Sequence, residues 1–159
     1  MTACTTFSSP LGDLLLVGEE TADGIALTSL SMTGPRTAPA AGPFAEIIRQ
    51  LAAYFAGELT EFDIPFAESG TEFQRRVWRA LDEIPYGTTT TYGALAERLG
   101  VPRDRIQALG AAIGANPLLV LRPCHRVIGA DGSMRGYAGG VDRKVWLLAH
   151  EGALHPALF

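Results

Sequence analysis

The chain has 159 residues, of which 47% are hydrophobic and 19% charged, and its formal net charge is −4. Such a composition belongs to an ordinary globular protein with room for one domain or two small ones; it excludes a globally basic nucleic-acid binder but leaves a local basic patch open. Two cysteines, Cys4 and Cys124, occur without a Cys-x-x-Cys pair, which excludes a disulfide scaffold and points to free thiols in a reducing compartment.

No apolar run approaches the roughly 20 residues of a membrane helix. The N-terminus lacks a positive segment followed by an apolar one, so no signal peptide is expected and the expected location is cytoplasmic. Residues 5–17 and 24–32 read as two strands, with a turn from Gly18 to Gly24 and an earlier turn at Gly12-Asp13. Residues 33–43 are a Pro/Gly/Ala loop. Phe44, Ile47, Ile48, Leu51 and Phe55 then recur at helical spacing up to a capping Gly57. Residues 61–66 read as a strand or an extended connector. This first part of the chain is expected to be a small structural α/β domain.

A stronger pattern begins at Thr71. Thr71-Glu72-Phe73-Gln74 has the form of a capping box, with Phe73, Val77, Trp78 and Leu81 on one face of the helix that follows. That helix stops before the turn Ile84-Pro85-Tyr86-Gly87. Thr90 or Thr91 caps a second helix, in which Tyr92, Leu95, Ala96 and Leu99 recur until Gly100. After Val101-Pro102, a third helix is expected from about Asp104 to Ala115, rich in small residues. The last two form a helix-turn-helix pattern, which on spacing alone is a weak signal. Arg103, Arg105 and Gln107 fall near the start of its second helix, where phosphate would be favoured, although a solvated helix end explains the two arginines equally well.

The chemistry concentrates further on. Leu118-Leu119-Val120-Leu121 is an apolar run bounded by turn signals, a buried-strand pattern. Arg122-Pro123-Cys124-His125-Arg126-Val127 follows it directly. A thiol attacks as thiolate, and neighbouring cations or a histidine base bring it into range. A lone cysteine on an apolar run is usually structural; the polar neighbours on both sides favour chemistry. The Gly129–Gly140 loop lacks the lysine and Ser/Thr of a phosphate-binding loop, so nucleotide hydrolysis is not implied. A last helix over 142–150 presents Val145, Trp146, Leu147 and Leu148 and ends at Glu151-Gly152. Glu151 would complete a nucleophile–base–orienter set with Cys124 and His125. Spacing alone more readily makes it a surface residue before a capping glycine.

Pro123-Cys124-His125-Arg126-Val127 resembles the active-site signature of the O6-alkylguanine-DNA alkyltransferases, and the text around it agrees. Ile84-Pro85-Tyr86-Gly87, Thr91-Tyr92-Gly93, Asn116-Pro117, Gly136-Tyr137-Ala138-Gly139-Gly140 and Leu147-Leu148-Ala149-His150-Glu151-Gly152 follow the family's order and spacing over residues 69–152. The resemblance implies a ribonuclease-H-like α/β domain over 1–68 and a mainly α, winged-helix-like domain with a helix-turn-helix over 69–159. It implies single-use DNA repair as a methyltransferase acting on double-stranded DNA. The helix-turn-helix binds the minor groove, the alkylated guanine flips out of the stack, and Cys124 keeps the alkyl group. By position, His125 deprotonates Cys124 through a water, Glu151 orients His125, Asn116 holds the local geometry, and Tyr92 donates a proton to the departing guanine or presses on its phosphate. Tyr137 and the backbone at Val127 and Ala138 would contact the flipped base. A monomer without cofactor or metal is expected.

Three positions depart from that family's pattern. Gln107 stands where the family has an arginine that fills the gap left by the flipped base; Arg103 or Arg105 would replace it only against the helical register, while Ala108 is one of the small residues of this helix that suit close packing against a groove. Arg122 and Arg135 stand where small or apolar residues are usual. A cation near Cys124 would lower its pKa, or the arginines would select an anionic small molecule, which is the alternative substrate class.

Overall fold

The structure is a computed structural model that describes residues 2–32, 42–67, 69–134 and 137–153. The chain folds into two compact units: residues 1–69 with 117–121, and residues 70–116 with 122–159.

The first unit is built on an antiparallel three-stranded sheet in the order β1 (Thr2–Ser9), β2 (Gly12–Thr21), β3 (Gly24–Ser31). The expected pair of strands is therefore three. Residues 5–9 and 12–17 are separate strands joined through Pro10-Leu11, with Ser9 opposite Gly12, whose φ of 101° suits the tight return. The expected break at Gly18 does not occur, because Gly18 lies within β2 beside a bulge that leaves Thr28 unpaired. A Cβ at Gly18 would come within 2.8 Å of the Ile25 side chain, so the glycine permits close approach rather than a turn. The extra residue shifts the alternation, and Leu27 and Leu30 both face inward although they are three apart.

One helix, α1 (Ala45–Phe55), supplies Ile47, Leu51 and Tyr54 to the core with Phe44 just ahead of it. Its buried Gln50 holds the following segment: Nε2 donates to Asp63 O at 2.9 Å, and Asp63 N–H donates to Gln50 Oε1 at 2.8 Å. Residues 61–66 are an extended connector that touches β3 by a single bridge, Leu27 to Phe66.

Residues 118–121 are not the expected buried strand. Leu118 makes one bridge to Leu30, after which the chain turns, with Leu121 N–H donating to Leu119 O at 2.8 Å. Val120 has φ of 70°, the single positive value at a non-glycine among the described residues. A β-branched residue there is strained. The four side chains are buried as a turn, which periodicity cannot distinguish from a strand.

The second unit is mainly helical. α2 (Glu72–Asp82) opens with the expected capping box, Gln74 N–H donating to Thr71 Oγ1 at 3.1 Å and Thr71 N–H to Gln74 Oε1 at 3.0 Å. A two-residue strand β4 (Thr90–Thr91) leads into α3 (Tyr92–Leu99), capped by Thr91 and ended by left-handed Gly100. The next helix does not begin at Asp104: Arg103–Arg105 form a 3-10 turn, and α4 runs Ile106–Gly114. No side chain caps this start, and Arg105 (φ −110°, ψ 8°) falls outside helical geometry. Trp78 Nε1 donates to Ala112 O at 2.8 Å and ties α2 to α4. The two-residue β5 (Val127–Ile128) pairs in parallel with β4, and α5 (Val141–His150) completes the unit.

Candidate active site

Asn116, two residues beyond α4, donates from Nδ2 to Arg122 O at 3.0 Å, spanning the 117–121 excursion. Cys124 N–H also donates to Arg122 O, at 2.7 Å, with Pro123 between them at φ −80°, ψ 58°. That is an inverse γ-turn, whose φ proline supplies without cost. Cys124–Arg126 then make one 3-10 turn before β5. The cysteine therefore sits on a turn clamped at both ends rather than at the end of a strand.

Everything around the thiol is buried. Cys124 is 5% exposed, His125 is fully enclosed, and Asn116, Arg126, Lys144 and Glu151 are buried with them. Glu151 is thus an interior residue, not a surface one. Its Oε2 lies 2.8 Å from His125 Nε2, while Arg126 Nε donates to Oε1 at 2.8 Å and Arg126 Nη2 to Oε2 at 3.0 Å. Arg126 Nη1 further donates to Ile84 O at 2.6 Å. The paired arginine holds Glu151 as a carboxylate, which can only accept, so His125 Nε2 carries the proton and Nδ1 is the basic nitrogen.

Burial lowers the His125 pKa against the opposing pull of Glu151, and the cations Arg126 and Lys144 lower it further. The imidazole is held neutral. Burial raises the Cys124 thiol, offset in part by the hydrogen bond from Asn116, by the Lys144 charge and by the local backbone. Lys144 Nζ donates to Val127 O at 2.6 Å, which fixes the cation beneath the cysteine turn. Tyr137 is buried edge-on to His125, ring centroids 6.4 Å apart, and burial holds its phenol well above its ordinary pKa. His125 Nδ1 and Tyr137 Oη are both buried with no hydrogen-bond partner among the described residues. Such groups cost free energy to leave unmade, and they mark where a reacting or bound group completes the site.

The fold thus collects Cys124, His125, Glu151, Asn116, Val127 and Tyr137 into one place, with Ala138 exposed beside Tyr137. Tyr92 is the first residue of α3, half-buried. Arg103, Arg105 and Gln107 are exposed along the 3-10 turn and the first turn of α4, with Ala108 half-buried and the Arg105 guanidinium 5.9 Å over the Phe73 ring. Arg135 lies outside the described residues.

Two cations behave otherwise than expected. Arg122 is engaged elsewhere: it pairs with Asp82 at 3.2 Å and lies 5.7 Å over the Trp78 ring. Lys144, absent from the sequence-based site, is the side-chain cation whose charge acts on Cys124. Its signal is nonetheless in the sequence: Lys144, Leu147, Leu148 and Glu151 are spaced i, i+3, i+4, i+7 and all four are buried. Ionisable residues inside an apolar stripe are bonded or functional, because burying them unpaired is too costly. No group of three or more potential ligands for a metal occurs among the described residues, and Cys4 lies on β1 opposite Val17. No described helix is long and apolar enough to cross a membrane.

A buried, clamped thiol beside an oriented neutral histidine has the groups that nucleophilic chemistry needs, and it shares a unit with the helix pair α3 and α4. Comparison with known proteins identifies the class. Residues 72–153 match the 6-O-methylguanine DNA methyltransferase DNA binding domain, and residues 2–67 match the ribonuclease-like domain of the same proteins. The chain is 50% identical over 159 residues to a methylated-DNA–protein-cysteine methyltransferase of Mycolicibacterium paratuberculosis, covering 96% of this chain and 93% of that one. A relative of the same name from Methanosarcina acetivorans is 46% identical over 154 residues, covering 92% and 96%. Among solved structures, the Mycobacterium tuberculosis O6-methylguanine methyltransferase superposes with a TM-score of 0.84 at 45% identity, covering 99% of this chain and 96% of that one. The M. tuberculosis OGT in complex with DNA gives the same TM-score and identity over 97% and 95%. The chain belongs to the 6-O-methylguanine DNA methyltransferase family, with a ribonuclease-like α/β domain followed by a helical DNA-binding domain.

Proposed function

We propose that this protein is a methylated-DNA–protein-cysteine methyltransferase that repairs DNA by taking the alkyl group of O6-alkylguanine onto Cys124. The observation that carries this reading is His125: its Nε2 is tied to Glu151 and its Nδ1 is buried, basic and unpartnered, one residue from a buried thiol. In the reaction the Cys124 proton passes to His125 Nδ1, through a water as the family resemblance implies. The sulfur lone pair forms the S–C bond as the C–O6 bond breaks, and the electron pair goes to the guanine, which takes up a proton from Tyr92; water then returns a proton to Tyr92 and removes the one on His125. Asn116 and Lys144 stabilise the thiolate that burial disfavours. A water-excluded pocket strengthens each of these interactions. The S-alkyl bond is a thioether with no built-in route of hydrolysis, so each molecule acts once.

Arg103 and Arg105 would contact phosphates, Gln107 and Ala108 the groove, and Tyr137, Val127 and Ala138 the extruded base. The partner is double-stranded DNA containing an alkylated guanine, and the protein acts as a monomer in the cytoplasm, where Cys124 stays reduced. The small-molecule alternative loses one of its motives, since Arg122 is engaged by Asp82 and Trp78.

The test is incubation with an oligonucleotide containing O6-methylguanine followed by intact-protein mass spectrometry. The protein is expected to gain one methyl group, and Cys124→Ala to gain none. No gain at high concentrations of protein and DNA would overturn the reading.

A further inference from the structure

The turn that carries Cys124 depends on a residue that takes no part in the chemistry. The chain leaves the helical unit after Asn116, runs residues 117–121 with the first unit, and re-enters at Arg122. There the Arg122 carbonyl accepts twice, from Asn116 Nδ2 at 3.0 Å and from Cys124 N–H at 2.7 Å. The first bond closes the excursion and the second shapes the turn. Neither reaches beyond residues 116–124 to α2.

The Arg122 side chain does. Its Nε donates to Asp82 Oδ1 at 3.2 Å and its Nη2 to Asp82 Oδ2 at 3.4 Å, a two-pronged pairing with the last residue of α2. The same guanidinium lies 5.7 Å over the ring of Trp78, one turn earlier on that helix. Trp78 is itself buried and fixed, because its Nε1 donates to Ala112 O on α4. Exposed ion pairs hold little. This arginine side chain is only 12% exposed, and carboxylate and indole grip it from two sides. A guanidinium fork fixes direction as well as distance, which an apolar side chain cannot do. Partial burial pushes the Asp82 carboxyl up and Arg122 draws it back down, so the arginine helps to keep its partner charged.

We infer that Arg122 is a positioning residue whose contacts with Asp82 and Trp78 anchor the Cys124 turn to α2 and set the line along which sulfur meets the alkyl carbon. This inference rests on the proposed function, and its failure can be told apart from the failure of that reading. Alkyl transfer is a displacement at carbon, with sulfur, carbon and leaving oxygen in line, and a small misplacement of the sulfur costs heavily. Ionisation of Cys124 is a separate matter, governed by burial, Asn116 and Lys144. Loss of the anchor is therefore expected to slow transfer from guanine while leaving the thiol's ionisation and the affinity for DNA in place.

The experiment measures single-turnover methyl transfer from a saturating O6-methylguanine duplex to the full-length protein, its Arg122→Met and Asp82→Ala variants, and the double variant. Duplex affinity, the pH midpoint of iodoacetamide alkylation and thermal unfolding are recorded for each. Arg122→Met, which keeps bulk over Trp78 without the charge, is expected to slow transfer about tenfold. Asp82→Ala is expected to slow it by a similar factor. The double variant is expected to be no slower than the slower single variant, because both changes remove one anchor. Duplex affinity and the alkylation midpoint are expected to stay at the parent's values. The anchor is overturned if Arg122→Met transfers at the parent rate, if its loss follows weaker duplex binding or a shifted midpoint, or if the two single losses multiply in the double variant. If Arg122→Met is unfolded at the assay temperature, Asp82→Ala decides by the same criteria. A parent protein that takes no methyl from the duplex would instead overturn the proposed function.

Discussion

Lys144 separates the thiol's electrostatics from its packing. Burial opposes thiolate formation at Cys124, and Lys144 is the side-chain cation that offsets it. Replacing it with methionine keeps the volume in the α5 stripe but removes the charge. The Lys144→Met thiol is expected to ionise at higher pH and to react several-fold more slowly at neutral pH. The pH profile of iodoacetamide alkylation measures this directly, and an unmoved profile would show that the lysine only supports the Val127 carbonyl. Arg122 would read differently in the same assay. Its guanidinium pairs with Asp82 and lies over Trp78, so Arg122→Ala is expected to leave the alkylation profile unmoved.

At the scale of elements, the helices that carry their own local signals were legible and the connections between them were not. α2 has its capping box at Thr71 and Gln74, α3 its Thr91 cap and Gly100 terminus. A cap acts over three or four residues, so spacing reveals it. Thr71→Ala is expected to cost about 1 kcal/mol of unfolding free energy, measured by chemical denaturation, with methyl transfer unaffected at temperatures where the protein is folded. α4 begins two residues later than its pattern implied, because Arg105 departs from helical geometry and no side chain caps Ile106. That delay leaves Arg103 and Arg105 on a 3-10 turn and makes Ile106 the tip of the helix. The 118–121 run departs from its pattern for a different reason. Four buried apolar residues look alike as strand or as turn, and the positive φ of Val120 leaves no trace in composition.

For the whole molecule, acid stability follows from burying a neutral histidine. The native His125 pKa lies below the ordinary value of about 6.5 that the unfolded chain retains. As pH falls through about 6.5 the unfolded state gains a proton that the native state refuses, so stability rises with pH across this window and falls on acidification. The groups facing His125 sharpen the effect, since Arg126 and Lys144 repel the added proton while Glu151, shared with Arg126, only partly attracts it. The melting temperature is therefore expected to drop between about pH 7 and pH 5.5, with a smaller drop in a His125→Gln variant, which cannot titrate. Equal drops in the two proteins would place the acid sensitivity elsewhere. By itself the sequence determined α2 and α3 with their caps and the order of motifs around Cys124, because these rest on contacts a few residues apart and on the chemistry of adjacent side chains. Only the tertiary structure decided that Glu151 and Arg126 are interior and paired, that His125 is neutral with Nδ1 as its base, and that Arg122 pairs with Asp82. Those facts depend on residues far apart in the chain being packed together without water, where desolvation and pairing, not residue type, set the charge.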